Sequence, residues 1–228
     1  MLVDRIIAPY FATNCWIVGT GEGNECIVVD PGIAVPDLAA KITAKAYEKG
    51  LKPVAILITH GHLDHTFSVL PLAQESGVMT AYIHHDDREL LTNPARALGE
   101  QGLALLNQLA PTRRWSEPDR VEEVEDKQVI EIAGLEIEII HAPGHTKGSV
   151  MFRIGGTNLF SGDVLFKGSI GRTDLPTSSP RAMRLSLKEK VLTLPDEVRV
   201  FPGHGEETTI SHERETNPFL LEIGMQAD

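Results

Sequence analysis

Hydrophobic and polar positions change period several times along the chain, and each change predicts an element. Two apolar runs, Asn14 to Val18 and Cys26 to Asp30, are joined by the glycine-rich GTGEGN and predict a β-hairpin. Residues Pro36 to Gly50 carry Leu38, Ile42 and Ala46 at helical spacing, with Pro36 and Asp37 as a start and Gly50 as a stop. VAILIT, 54–59, is continuously apolar, the pattern of a strand covered on both faces. Helices are predicted over Phe67 to Gly77, His85 to Thr92 and Ala95 to Leu109, with a short strand at Ala81 to Ile83 between the first two. The segment PTRRWSEPDRVEEVED, 111–126, has two prolines and no clean period, so it predicts a loop that could cover the active site.

VIEIAGLEIEII, 129–140, alternates apolar and polar residues on both sides of Gly134, which predicts a second hairpin. SVMFRI (149–154) and NLFSGD (158–163) follow as strands, turning at Gly155 and Gly156. A helix begins after TSSP and carries RAMRLSLKEKVLTL, and the strand VRVF precedes the tail. Hairpins early and crossovers later predict mixed sheets rather than purely parallel or antiparallel ones. No linker or repeat divides the 228 residues, so one domain spanning 1–228 is expected.

Charge narrows the partners. A formal net charge of −11 without a basic run argues against nucleic acid and anionic membranes. The N-terminal apolar stretch is interrupted by Asp4 and Arg5, unlike a signal peptide, and no window reaches a membrane span. Cys15 and Cys26 sit in apolar runs and are expected to be small buried thiols. A cytoplasmic protein acting on a small molecule, as a monomer or small homo-oligomer, is the expectation.

The strongest signal lies in ILITHGHLDHTF, 56–67, where an apolar strand ends in His60, His62, Asp64 and His65. Other polar residues share that address: His145 follows LEIEII through APG, Asp163 ends NLFSGD, and His204 follows VRVF through PG. Ligands gather at the carboxyl ends of strands in α/β proteins. Crowded imidazolium groups repel, whereas divalent ions accept neutral imidazole nitrogen and carboxylate oxygen. Two ions suit the count: His60 and His62 with His145, or with His141 before the same turn, for one, and Asp64, His65 and His204 for the other. Asp163 is placed to bridge them. His84 and His85, beside Asp86 and Asp87, read as a polar helix start, and His212 as part of a charged tail.

THGHLDH (59–65), APGHTKGS (142–149), FSGDVLF (160–166) and FPGHG (201–205), with VVDPG (28–32), resemble the motifs of the metallo-β-lactamase fold superfamily. The resemblance implies an α+β fold, a four-layer αββα sandwich of two mixed β-sheets, and selects His145 over His141. Within that superfamily, GSIGRTDLP (168–176) resembles the loop of small bacterial glyoxalase II-like hydrolases and, through GRTD, that of persulfide dioxygenases. It implies Arg172 as a substrate contact. Too few residues follow His204 for the C-terminal helical domain of larger glyoxalase II enzymes.

The expected activity is therefore metal-dependent hydrolysis of a small acyl thioester, foremost a hydroxyacylglutathione such as S-lactoylglutathione. Persulfide dioxygenase with a single iron, lactonase and nuclease are the alternatives. The expected cofactor is two divalent ions, zinc first, with iron or manganese also suited to N and O ligands. Coordinated water would be acidified toward neutrality and attack the carbonyl, and a thiolate leaves without a strong acid. Asp64 and Asp163 are the candidate catalytic carboxylates, and Asp30 a candidate partner for a ligand histidine.

Overall fold

The computed structural model describes residues 1–75 and 79–225, and of Gln101 and Leu105 only the backbone. Twelve strands form two six-stranded sheets. The first runs in chain order: β1 (Leu2–Ile7), β2 (Asn14–Gly19), β3 (Glu25–Val29), β4 (Lys52–Leu57), β5 (Thr80–His84) and β6 (Val121–Val124). β1 to β3 pair antiparallel, β3 to β6 parallel. The second comprises β7 (Val129–Ile132), β8 (Leu135–His141), β9 (Val150–Ile154), β10 (Asn158–Gly162), β11 (Arg199–Pro202) and β12 (Thr208–Thr209). Its pairs are antiparallel except β10 with β11.

Side-chain alternation explains the layers. On β2, β3 and β4, Trp16, Val18, Ile27, Val29, Ala55 and Leu57 face the second sheet and meet Ile139, Phe152, Phe160 and Phe201. Their neighbours Ile17, Cys26, Val28 and Ile56 face outward, under the helices Ala39–Glu48 and Val69–Glu75. Met151, Leu159 and Val200 do the same on the second sheet, beneath Met183, Leu187, Leu220 and Ile223. Continuous apolar runs such as VAILIT are thus required by two covered faces. The result is the expected αββα order with mixed sheets.

Several boundaries differ from the sequence expectation. β4 begins and ends two residues before 54–59, because the Thr59 N–H leaves the ladder for Asp30 Oδ1 at 2.8 Å. The helix predicted from Phe67 begins earlier, as a turn at Leu63–Thr66 followed by Val69–Glu75; its predicted end at Gly77 lies outside the described residues. The stretch from Ala95 divides into a 3-10 turn, Pro94–Ala97, and a helix, Glu100–Leu109.

The 111–126 loop contains β6, an edge strand of which only Val124 is fully buried, too short to show a period. Nor does that loop cover the active site. Arg113 lies over the Phe67 ring at 4.0 Å and donates to its carbonyl, so the loop packs on the Leu63–Thr66 turn. β1 was hidden because Asp4 and Arg5 break its apolar run, and both are employed: Asp4 pairs with Lys45 at 3.2 Å and Arg5 lies over Trp16. The charged tail forms helices Ile210–Thr216 and Pro218–Met225 on the second sheet, with His212 exposed in the first turn. Cys15 and Cys26 are buried and unpaired, and no helix among the described residues is long and apolar enough to cross a membrane.

Phe160, stacked on Phe201 at 4.8 Å and edge-on to Trp16 at 6.1 Å, sits where the sheets meet. Phe160→Ala is expected to cost about 3–5 kcal/mol in urea unfolding. The exposed Tyr47→Ala should stay within about 0.5 kcal/mol. A loss below about 1 kcal/mol for Phe160→Ala would contradict the inter-sheet packing described above.

Candidate metal centre

Every residue of the predicted constellation lies on a loop leaving the carboxyl end of a strand. β3 leads to Asp30, β4 to His60, His62, Asp64 and His65, β8 to His145, β10 to Asp163, and β11 to His204. The two sheets are tied together at this rim. Asn14 and Trp16 on β2 donate to the Pro202 carbonyl at 3.0 and 3.1 Å, and the Val150 N–H donates to the Thr59 carbonyl at 2.8 Å. Gly203 is compulsory here, since a Cβ would stand 2.7 Å from His65 Cε1 and against the Asp163 carboxylate.

The structure brings the seven candidates into overlapping clusters. One ligand atom from each of His60, His62 and His145 lies within 4.8 Å of the others, and the same holds for Asp64, His65 and His204. Asp163 touches both groups: Oδ1 is 3.4 Å from His65 Nε2, while Oδ2 is 3.4 Å from His145 Nε2 and 3.5 Å from His204 Nε2. His141 stands apart, its Nε2 on the Lys147 carbonyl at 2.9 Å and its ring stacked on His84. His84 caps the short helix His85–Arg88, in line with the helix start expected there, and is buried.

Hydrogen bonds behind the rings decide which nitrogen faces inward. His145 Nδ1 and His204 Nδ1 donate to the carbonyls of Arg172 and Phe11 at 2.8 and 3.0 Å, and carbonyls only accept. His65 Nδ1 donates to Asp30 Oδ2 at 2.9 Å. Thr59 Oγ1 gives its proton to Asp30 at 2.6 Å, so it receives one from His60 Nδ1 at 3.0 Å. Four Nε2 atoms are thereby turned toward the shared space, the arrangement that orients metal-ligating histidines. Asp30, almost wholly buried and at φ 52°, serves two of the four.

The expectation named Asp30 but missed Thr59, the Phe11 and Arg172 carbonyls, and Thr13, whose hydroxyl donates to Asp64 Oδ2 at 3.3 Å. Thr59 at least adjoins the histidine motif; backbone carbonyls leave no mark in a sequence.

Buried His60 Nε2, His62 Nε2 and Asp163 Oδ1 have no hydrogen-bond partner. Leaving such atoms unmatched costs about 1–3 kcal/mol each. His62 meets the first cluster through Nδ1, 2.8 Å from His145 Nε2, and with the bare His60 Nε2 and Asp163 Oδ1 this makes a set of nitrogen and carboxylate oxygen donors suited to a divalent ion, so the residues fit the expected metal. Electrostatics agrees. Burial and the neighbouring imidazoles push His62 down to about 3 and lower His60 strongly, keeping both neutral. Against the cost of burial, the carboxylates around them push His65 up to about 9 and His204 up to about 10. Asp64 and Asp163 are held below the usual carboxylate range by those same histidines, which outweigh desolvation.

A cavity of about 1190 Å³ opens beside the clusters. Ile33, Leu63, Leu98, Leu106, Phe166 and Ile170 supply much of its wall. Arg172 also lines it, in a two-point ion pair with Asp174 at 2.7 and 2.8 Å.

The sequence profile of the metallo-β-lactamase superfamily matches residues 8–204. The chain belongs to the metallo-β-lactamase superfamily. Among its relatives, an uncharacterised protein of Mycobacterium tuberculosis is 39% identical over 96% of this chain and 98% of its own. The hydroxyacylglutathione hydrolase GloC of Haemophilus influenzae is 32% identical over 96% and 98%. Two solved structures are similar throughout. The B3 metallo-β-lactamase BLEG-1 has a TM-score of 0.81 at 31% identity, covering 96% of this chain and 99% of that one. A protein in a di-iron-bound form has 0.76 at 36%, covering 95% and 100%. The superfamily fold, metal-binding clusters and a dinuclear relative together support a centre for two metal ions.

Metal uptake should carry a proton signature. With His65 at about 9 and His204 at about 10, both hold protons at pH 7 in the metal-free protein, and an ion takes only neutral imidazole. Calorimetric titration with zinc in buffers of different ionisation enthalpy should therefore show proton release, and affinity should tighten as pH rises from 7 toward 9. Uptake of protons, or affinity that weakens over that range, would contradict this electrostatic picture.

Proposed function

We propose that the chain is a metal-dependent hydrolase of a small acyl thioester, with hydroxyacylglutathiones such as S-lactoylglutathione as its leading substrates. In this reading His60, His62 and His145 hold one ion, Asp64, His65 and His204 the other, with Asp163 between them. Bound there, divalent ions supply acidified water and a Lewis-acid hold on a carbonyl oxygen.

The observation that carries the thioester reading is the cavity's poverty in proton donors. Apart from the proposed ligands, the ionisable side chains lining it among the described residues are Glu100, Arg172 and Asp174. Arg172 and Asp174 are paired, and Glu100 is an exposed residue at a helix start. Amide or alkoxide leaving groups need a proton; a thiolate, from a thiol of pKa about 8.5, does not. Similarity to GloC points the same way.

The chain's own groups have distinct tasks. Asp64 Oδ2, held by Thr13 and 3.3 Å from His204 Nε2, is partly exposed and can orient an attacking water. The apolar wall excludes bulk water from the scissile bond. The Arg172 guanidinium contacts the thiol half of the substrate, and a net charge of −11 keeps nucleic acid away.

Zinc-loaded protein should release thiol from S-lactoylglutathione. Arg172→Ala should raise KM by up to about fivefold with kcat unchanged, since an exposed ion pair is worth at most about 1 kcal/mol. Asp30→Asn should weaken metal binding or activity by about 10- to 100-fold. Fully loaded protein that releases no thiol, or that instead consumes oxygen with glutathione persulfide, would defeat the proposal.

A further inference from the structure

The three nitrogens of the first cluster come from different sheets. His60 and His62 leave β4, His145 leaves β8, and their spacing depends on how the loops 60–65 and 142–149 are held against each other. Asp87 lies between those loops. It belongs to the short helix after β5, and only 1% of it is exposed. Its Oδ2 accepts the Gly61 N–H at 2.8 Å and the Thr146 hydroxyl at 2.6 Å; its Oδ1 accepts the Gly148 N–H at 2.9 Å. Gly61 separates His60 from His62, and Thr146 follows His145.

We propose that Asp87 is the positioning residue of the first metal cluster, a buried carboxylate that clamps the two ligand loops at the separation one ion requires. This rests on the ligand assignment proposed above. Three donors on two oxygens use the group more fully than structural packing alone requires, and the fit is close. A Cβ on Gly148 would stand 2.7 Å from Asp87 Cγ, so residue 148 must be glycine for its N–H to approach. Thr146 is fixed in turn, its N–H donating to Ser149 Oγ at 3.0 Å.

The arrangement mirrors Asp30. In the first sheet β4 lies between β3 and β5. Asp30, after β3, takes the Thr59 N–H and holds His65 of the second cluster; Asp87, after β5, takes the Gly61 N–H and reaches the loop of His145. Asp87 thus serves the loops of the first cluster alone, whereas Asp30 holds His65 of the second directly and His60 of the first through Thr59, so removal of Asp87 should act on one ion and removal of Asp30 on both. Asn at 87 could still accept from Gly61 and Thr146 but would turn an NH2 toward the Gly148 N–H, whereas Ala would strand all three donors.

Metal-free wild type, Asp87→Ala, Asp87→Asn and Asp30→Asn would each be titrated with cobalt(II). Absorption would separate a three-nitrogen site from a two-nitrogen, one-oxygen site, calorimetry would give affinities, and circular dichroism would establish folding. Wild type should bind two ions. Asp87→Ala should weaken the three-nitrogen site by about 10- to 100-fold while the other stays within about threefold, Asp87→Asn should lie between, and Asp30→Asn, which touches His65 directly and His60 through Thr59, should weaken both sites. If Asp87→Ala does not fold, the site-selective loss in Asp87→Asn decides. Equal weakening of both sites, or of neither, in the Asp87 variants would overturn the clamp. Failure of wild type to bind two ions would instead overturn the ligand assignment.

Discussion

The rim of this protein depends on hydrogen bonds made behind its histidines. Bare imidazole nitrogens and ionised carboxylates cannot be crowded together without a cation, and rings free to turn would point their lone pairs to water. Four of the five candidate ligand rings are prevented from turning by an acceptor at the far nitrogen: Thr59 for His60, Asp30 for His65, and the carbonyls of Arg172 and Phe11 for His145 and His204; the fifth, His62, instead places Nδ1 2.8 Å from His145 Nε2. The unsatisfied atoms left inside, His60 Nε2, His62 Nε2 and Asp163 Oδ1, are the stability cost of a site prepared for ions.

Such preparation needs a rigid frame, which explains why the site sits on two sheets. Strands buried on both faces cannot slide, because a shift of one residue would exchange the Trp16, Val18 face of β2 for its Cys15, Ile17 face. Sheet packing alone sets only the coarse spacing. The fine spacing is made by polar links at the rim, from β2 to the Pro202 carbonyl and from Val150 to Thr59, all within a short reach of the ligand loops.

Much of this was legible in the sequence, and what was not has identifiable physical causes. The hairpins, the central strand and the group His60, His62, Asp64 and His65 are written in contiguous patterns: alternation in VIEIAGLEIEII, an apolar run in VAILIT, and histidines dense beyond any solvated loop; His145, Asp163 and His204 are legible by their shared place at strand ends. β1 and β6 escaped because edge strands are buried on one side at most, so charges such as Asp4 and Glu122 can sit in them. Asp30 stood out beside a proline and glycine at a strand end. Asp87 did not: in HHDDRE every residue looks solvated, and its burial comes from loops 26 and 59 residues distant in the chain. His84, read as part of a polar helix start, does cap that helix and is buried as well.

Arg172 shows how chemistry and choice of substrate can be separated within one residue. Its carbonyl holds His145 at 2.8 Å, so the backbone of the 168–176 loop belongs to the metal centre, while its guanidinium faces the cavity in an exposed pair with Asp174. Changing the side chain leaves the carbonyl in place and alters only the wall. Moving the backbone would release the ring. Side chains on this loop can therefore change at little risk to the His145 ring, whereas a shift of the backbone at 172 would cost that ring its acceptor. On that argument the loop's conformation, more than its composition, belongs to the metal centre, and only in the function proposed above do the side chains at 172 and 174 bear on the substrate.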